Sequence, residues 1–148
     1  MEKNKWSLVN AENVVPYVCD ETYSSKQLTG DEMAGFPVIN VNEGTLTPHH
    51  RTSGAAHDDT EIYYIKEGEA VLHLDDNAIS VKPGDFIIIP PHTFHWIDNT
   101  MNDTPFVIYT LWPKQEQNDM YFIRKKAWGT SMKYVDPKYI EKRLDGKE

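Results

Sequence analysis

The sequence predicts an all-β protein, an antiparallel sandwich or barrel, and two observations carry that prediction. Short runs of β-branched and aromatic residues recur at close, even spacing between Val14 and Trp112. Turn chemistry separates them, as in Asp75-Asp76-Asn77 and Lys82-Pro83-Gly84-Asp85. Many short strands punctuated by such turns are the signature of packed antiparallel sheets. Beyond Trp112-Pro113 the pattern weakens, and Asp136 to Leu144 reads as a short terminal helix.

In chain order, Met1 to Asn13 is polar apart from Trp6, Leu8, Val9 and Ala11, which suits an arm docked by those side chains. Val14 to Cys19 and Ser25 to Leu28 read as short strands, with a turn or loop over Thr29 to Glu32. Phe36 to Val41 reads as a strand ended by Asn42-Glu43-Gly44, and Leu46 to His50 as the next. Arg51 to Asp59 has no periodicity and reads as a loop. Glu61 to Ile65 consists of strong β-formers. Lys66-Glu67-Gly68 turns the chain, and Ala70 to Leu74 returns it. Aspartate and asparagine tolerate left-handed backbone, so Asp75-Asp76-Asn77 predicts a tight hairpin into Ala78 to Val81. Phe86 to Ile89, four apolar residues in a row, reads as a buried strand that must leave the ladder at Pro90-Pro91. Phe94 to Ile97 and Phe106 to Trp112 complete the set. In the terminal segment Asp136 fits an N-cap, Pro137 the first turn, and Lys142 and Arg143 the last.

The bulk numbers exclude several classes. A chain of 148 residues is expected to be a single domain over 1–148 with a real core. A net charge of −8 repels phosphate backbones and argues against a nucleic-acid partner. The short basic run Arg124-Lys125-Lys126 reads as a solvated face. One cysteine, Cys19, cannot form an intrachain disulfide, which suits a reducing compartment, and it reads as a small buried apolar residue. No signal-peptide pattern follows Met1, and no apolar run reaches membrane-spanning length. The expectation is a soluble, cytoplasmic protein with no membrane partner.

The functional signal is the clustering of histidines. All but one of the six fall in two segments, Gly44 to Gly68 with His49, His50 and His57, and Gly84 to Asn99 with His92 and His95. The first segment also holds Glu61. Imidazole and carboxylate together are metal-ligand chemistry. His95, at the start of a strand beside a proline corner, is well placed to face a cavity.

These segments resemble the paired motifs of the cupin superfamily. Gly84, Pro90, His95 and Asn99 stand at the positions of the second motif, with His92 where the family usually has glycine. Glu61 and Gly68 fit the end of the first motif. Counting forward from Gly44 picks His50 as its first histidine, and counting backward from Glu61 picks His57 as its second. An insertion between Arg51 and Ala56 reconciles the two counts. The resemblance implies a double-stranded β-helix, or jelly-roll barrel, with its core over about residues 36–113 and one metal in its bore. It also implies a homodimer.

The ligand set that follows is His50, His57, Glu61 and His95, with His49 in reserve because neighbours on a strand point to opposite faces. Four protein ligands suit Fe, Mn or Ni with open positions; three suit Zn with a water. His92 reads as a rim residue and His73 as an outer-face one. Tyr63 shares the face of Glu61 and is the candidate substrate contact, with core packing as its plainer role. Ile97 shares the face of His95. Of Tyr109 and Trp112, on opposite faces, either could be inside. Lys26 and Arg51 are candidate cations for the bore and its mouth. The resulting expectation is a metal-dependent enzyme on a small oxygen-rich substrate (a carboxylate, diketone or sugar), of dioxygenase, decarboxylase, lyase or isomerase type. A non-catalytic small-ligand-binding or sensor module is the alternative.

Overall fold

A computed structural model describes residues 8–14, 16–18, 22–34 and 36–113. Cys19, the basic run at 124–126 and the terminal helix expected over 136–144 lie outside the described residues. A 3₁₀ turn, Ala11–Asn13, precedes strands β1 (Tyr17–Val18) and β2 (Tyr23–Thr29). A single helical turn, α1 (Asp31–Ala34), leads to β3 (Asn40–Leu46). Then come β4 (Glu61–Glu67), β5 (Ala70–Leu74), β6 (Asn77–Val81), β7 (Phe86–Ile89), β8 (His95–Asp98) and β9 (Phe106–Trp112). Every described pairing is antiparallel. One sheet runs β1-β2-β3-β9-β4-β7 and the other β6-β5-β8. This is the jelly-roll arrangement expected from the motifs.

The two sheets close on a shared apolar interior. Leu46, Tyr63, Ile65, Ile87, Ile89, Phe106 and Ile108 come from the larger sheet, and Ala70, Leu72, Val81 and Ile97 from the smaller. Burying one such aliphatic side chain contributes roughly 1.5–3 kcal/mol. Gly68 makes the β4–β5 turn possible: its φ is 78°, and a side chain there would meet the Pro105 carbonyl.

Three expectations are corrected. Asn42-Glu43-Gly44 does not end a strand but forms the middle of β3, paired with β2 on one side and β9 on the other. Those two ladders override the local turn preference of Asn and Gly. Consequently Phe36 to Ile39 lies before the strand, and the chain turns at Pro48-His49, just after it. Second, Phe86 to Ile89 is not buried throughout: β7 is an edge strand, so Phe86 and Ile88 point outward at 66% and 70% exposure, while Ile87 and Ile89 face the core. Third, residues 50–55 are not a free loop but are hydrogen-bonded along the open edge of β8. Asn99 N donates to the His50 carbonyl (3.0 Å), Thr52 N to that of Ile97 (3.0 Å) and Ala55 N to that of His95 (3.1 Å), and His95 N returns to Ala55 (3.0 Å). The extra residues are thus absorbed as an irregular strand edge.

Candidate metal centre

Three elements deliver the donors. Glu61 opens β4, opposite Ile89 at the end of β7, so it belongs to the larger sheet. His95 opens β8 in the smaller sheet. His57 sits two residues past the Ala55–His95 bridge, in a segment pinned by the His92 N–H, which donates to the His57 carbonyl at 2.8 Å. One ligand atom from each of His57, Glu61 and His95 lies within 4.8 Å of the others. His57 Nε2 stands 2.8 Å and His95 Nε2 3.4 Å from Glu61 Oε2. Side-chain exposure rises from 7% at His95 through 13% at Glu61 to 29% at His57, so the cluster opens at the mouth of the barrel.

The hydrogen bonds on the far side of each ring fix its proton. His57 Nδ1 faces the Asp59 carbonyl at 2.9 Å, and His95 Nδ1 faces the Thr93 carbonyl at 2.8 Å. A carbonyl only accepts, so both Nδ1 atoms carry the hydrogen and both neutral rings turn an Nε2 lone pair toward Glu61. Two lone pairs facing a carboxylate require a proton or a cation among them. The donor set therefore fits a divalent transition metal, and the backbone carbonyls orient its imidazole ligands. Burial opposes charging of His95, but the Glu61 carboxylate and the Thr93 carbonyl outweigh it and raise its pKa.

The cupin domain family profile matches residues 42–112. Those residues form a cupin domain. An uncharacterized protein of Methanocaldococcus jannaschii is 37% identical over 82 residues, covering 55% of this chain and 61% of the relative. Quercetin 2,3-dioxygenase of Bacillus subtilis is 27% identical over 93 residues, covering 57% of this chain and 28% of the relative. The chain thus spans less than two thirds of these relatives. The crystal structure of a predicted oxalate decarboxylase from Thermotoga maritima superposes with a TM-score of 0.65 at 21% identity, covering 73% of this chain and 99% of that one. Cupins commonly bind a metal, and the His57–Glu61–His95 cluster draws on both motif segments of the cupin domain.

Not every expected ligand joins the cluster. His50 is exposed, and its Nδ1 is engaged by the Pro48 carbonyl (2.8 Å) and the Thr47 hydroxyl (3.1 Å). With the chain turning at Pro48-His49, it stays outside the three converging donors. His49 is also exposed and lies 3.0 Å from Asp103. His92 is exposed beside Asp58. His73 stacks on Trp96 with ring centroids 3.7 Å apart.

Around the triad, Tyr63 packs edge-on to His95, with centroids 5.8 Å apart. Burial, then the charge of Glu61 and the neighbouring Tyr23, hold its pKa well above that of an ordinary phenol, so Tyr63 is a neutral donor. Ile97 is buried behind His95. Lys26 does not reach the bore: it lies on the outer face, donating to the Ala11 carbonyl at 2.8 Å and facing Glu43. Tyr109 is on that face too, with Lys66 above its ring. Arg51 lies over Trp96 on the outer side of the smaller sheet. Tyr23 was not singled out by the sequence. Its hydroxyl lies over Gly44, where any side chain would collide with it, which explains why the first motif opens on glycine here. Alternation along Tyr23–Thr29 was the available signal.

Proposed function

We propose that this cupin is a metal-dependent enzyme acting on a small oxygen-rich molecule, a carboxylate, diketone or sugar, in a reaction of dioxygenase, decarboxylase, lyase or isomerase type. The supporting observation is the convergence of two Nε2 lone pairs and one carboxylate at the barrel mouth. A divalent ion held by His57, Glu61 and His95 (Fe, Mn, Ni or Zn) supplies Lewis acidity to a substrate oxygen. The chain's own residues then define the rest. The neutral Tyr63 hydroxyl is the hydrogen-bond donor for a substrate oxygen beside the ion. Ile87, Ile89 and Ile97 form an apolar floor that excludes water from the far side of the triad. The dioxygenase named among the relatives and the decarboxylase named among the similar folds support the range of reactions proposed.

The test is the metal content of protein purified without added metal. About one transition metal per chain is expected in wild type. Glu61→Ala and His95→Ala are expected to lose it, and His50→Ala to keep it. A wild type that binds no metal on titration, or variants of Glu61 and His95 that retain it, would overturn the reading.

A further inference from the structure

Beyond the triad, the inner face of the larger sheet carries a second feature that its hydrophobic surroundings do not explain. Gln27, Asn40 and Asn42 are buried, at 4%, 0% and 2% exposure. Their carbonyl oxygens, Gln27 Oε1, Asn40 Oδ1 and Asn42 Oδ1, have no hydrogen-bond partner. For two of them the amide orientation is settled. Gln27 Nε2 donates to the Thr29 carbonyl, and Asn40 Nδ2 to the Trp112 carbonyl at 3.5 Å. Since backbone carbonyls cannot donate, flipping either amide would set oxygen against oxygen. What remains on each side is an acceptor.

The register ties these acceptors to the metal centre. Gln27 stands opposite Asn42, Asn42 opposite Thr110, and Thr110 opposite Tyr63. Asn40 lies one inward position along β3 from Asn42 and opposite Trp112. Neighbouring strands are about 4.8 Å apart, so Asn42 is about 10 Å across the sheet from Tyr63. No charged side chain stands in the row from Gln27 to Tyr63. Unmatched acceptors at Gln27 and Asn40 and an unmatched amide end at Asn42 are costly to keep buried, and a ligand that hydrogen-bonds to them removes that cost.

We propose that Gln27, Asn40 and Asn42 form a hydrogen-bond-accepting shelf for the hydroxyl groups of the small molecule held at the metal, which makes the substrate polyhydroxylated. The proposal rests on the metal-dependent reading above and narrows it. An aprotic diketone or a bare carboxylate leaves the shelf unmatched; a sugar-like molecule fills it.

The test compares gluconate with hexanoate on Ni(II)-loaded protein by calorimetry, with metal content read on the same sample. The two share a carboxylate and a chain length and differ in hydroxyl groups. Wild type is expected to prefer gluconate by at least about tenfold. Asn42→Leu and Gln27→Leu should erase the preference while holding nickel at the wild-type level. Equal binding of the two probes by nickel-loaded wild type, or an unchanged preference in both variants, overturns the shelf. Equal binding by wild type decides against the shelf without the variants, and the metal-free comparison below separates hydroxyl recognition from chelation of nickel should either variant misfold. Failure to hold nickel strikes the metal-dependent reading instead. The shelf is then judged on metal-free protein with sorbitol against 1-hexanol, where equal binding overturns it and a preference for sorbitol upholds it.

Discussion

Glu61 carries one negative charge opposite two neutral imidazole nitrogens, and that imbalance sets how the centre answers to pH. The folded pKa of His95 is raised by Glu61 and Thr93 against the opposing effect of burial. A raised value means that protonated His95 adds stability to the metal-free fold below its unfolded pKa. That stability is lost as pH rises through the folded value. A metal needs the deprotonated Nε2, so its affinity runs the other way. Metal affinity is expected to fall on acidification, beginning at a higher pH than an ordinary imidazole of pKa about 6.5 would dictate. Titration of metal into the protein at several pH values checks this, and an affinity flat across that range would contradict it. At this scale the sequence pointed to the residues that the fold brings together, Glu61, His57 and His95, where chemistry and motif spacing agreed. His50 stands apart from them, because the turn at Pro48-His49 decides that side chain's direction and spacing along the chain does not report it. The sequence was silent on Gln27, Asn40 and Asn42, since amide side chains ordinarily signal turns and surfaces.

The strands and corners show why some signals translated and others did not. Ladders with strong β-formers, such as β4 and β9, emerged where expected. The middle of β3 did not, because its pairing on both sides is a long-range fact that Asn42 and Gly44 do not advertise. In β7 a continuous apolar run concealed a strand with one open face; composition reports apolarity, whereas burial depends on what the other sheet covers. The Pro90 to Thr93 corner holds a more local lesson. His92 occupies the place where the resembling motif has glycine, and its φ is 64°. Left-handed backbone costs a residue with a side chain roughly 1–2 kcal/mol, which glycine avoids. The exposed imidazole makes only a 3.4 Å approach to Asp58, at the surface. His92→Gly is therefore expected to stabilise the fold by about 1 kcal/mol while leaving the metal content unchanged. Chemical denaturation of both proteins measures the difference, and a destabilised variant would show that the imidazole holds the corner.

Across the whole molecule, the two sheets share an apolar interior, but at its two ends they meet through polar groups. At the end away from the triad, Asn99 is fully buried and donates to the carbonyls of Thr47 (3.2 Å) and Thr104 (3.0 Å), tying the turn after β3 to the chain entering β9. The His57–Glu61–His95 triad forms the second such tie, drawn from one residue of each sheet and one of the edge segment. An ion that binds only the folded arrangement stabilises it by RT ln(1 + [L]/Kd), about 2.7 kcal/mol at a hundredfold excess over Kd. Melting temperature is thus expected to rise with metal concentration and to drop on chelation, with no such response in Glu61→Ala; scanning calorimetry tests both. The barrel and its mouth were legible from turn spacing and histidine clustering, which depend on local chemistry. The division into six- and three-stranded sheets was not, because it depends on which edges find each other.

Because the triad draws on both sheets, an ion held there would couple occupancy of the centre to the survival of the chain. A molecule starved of that ion would open more readily at the mouth, and the opened form is what proteases cut. In a cell, the amount of this protein would then follow the supply of the ion, independently of how fast the chain is made.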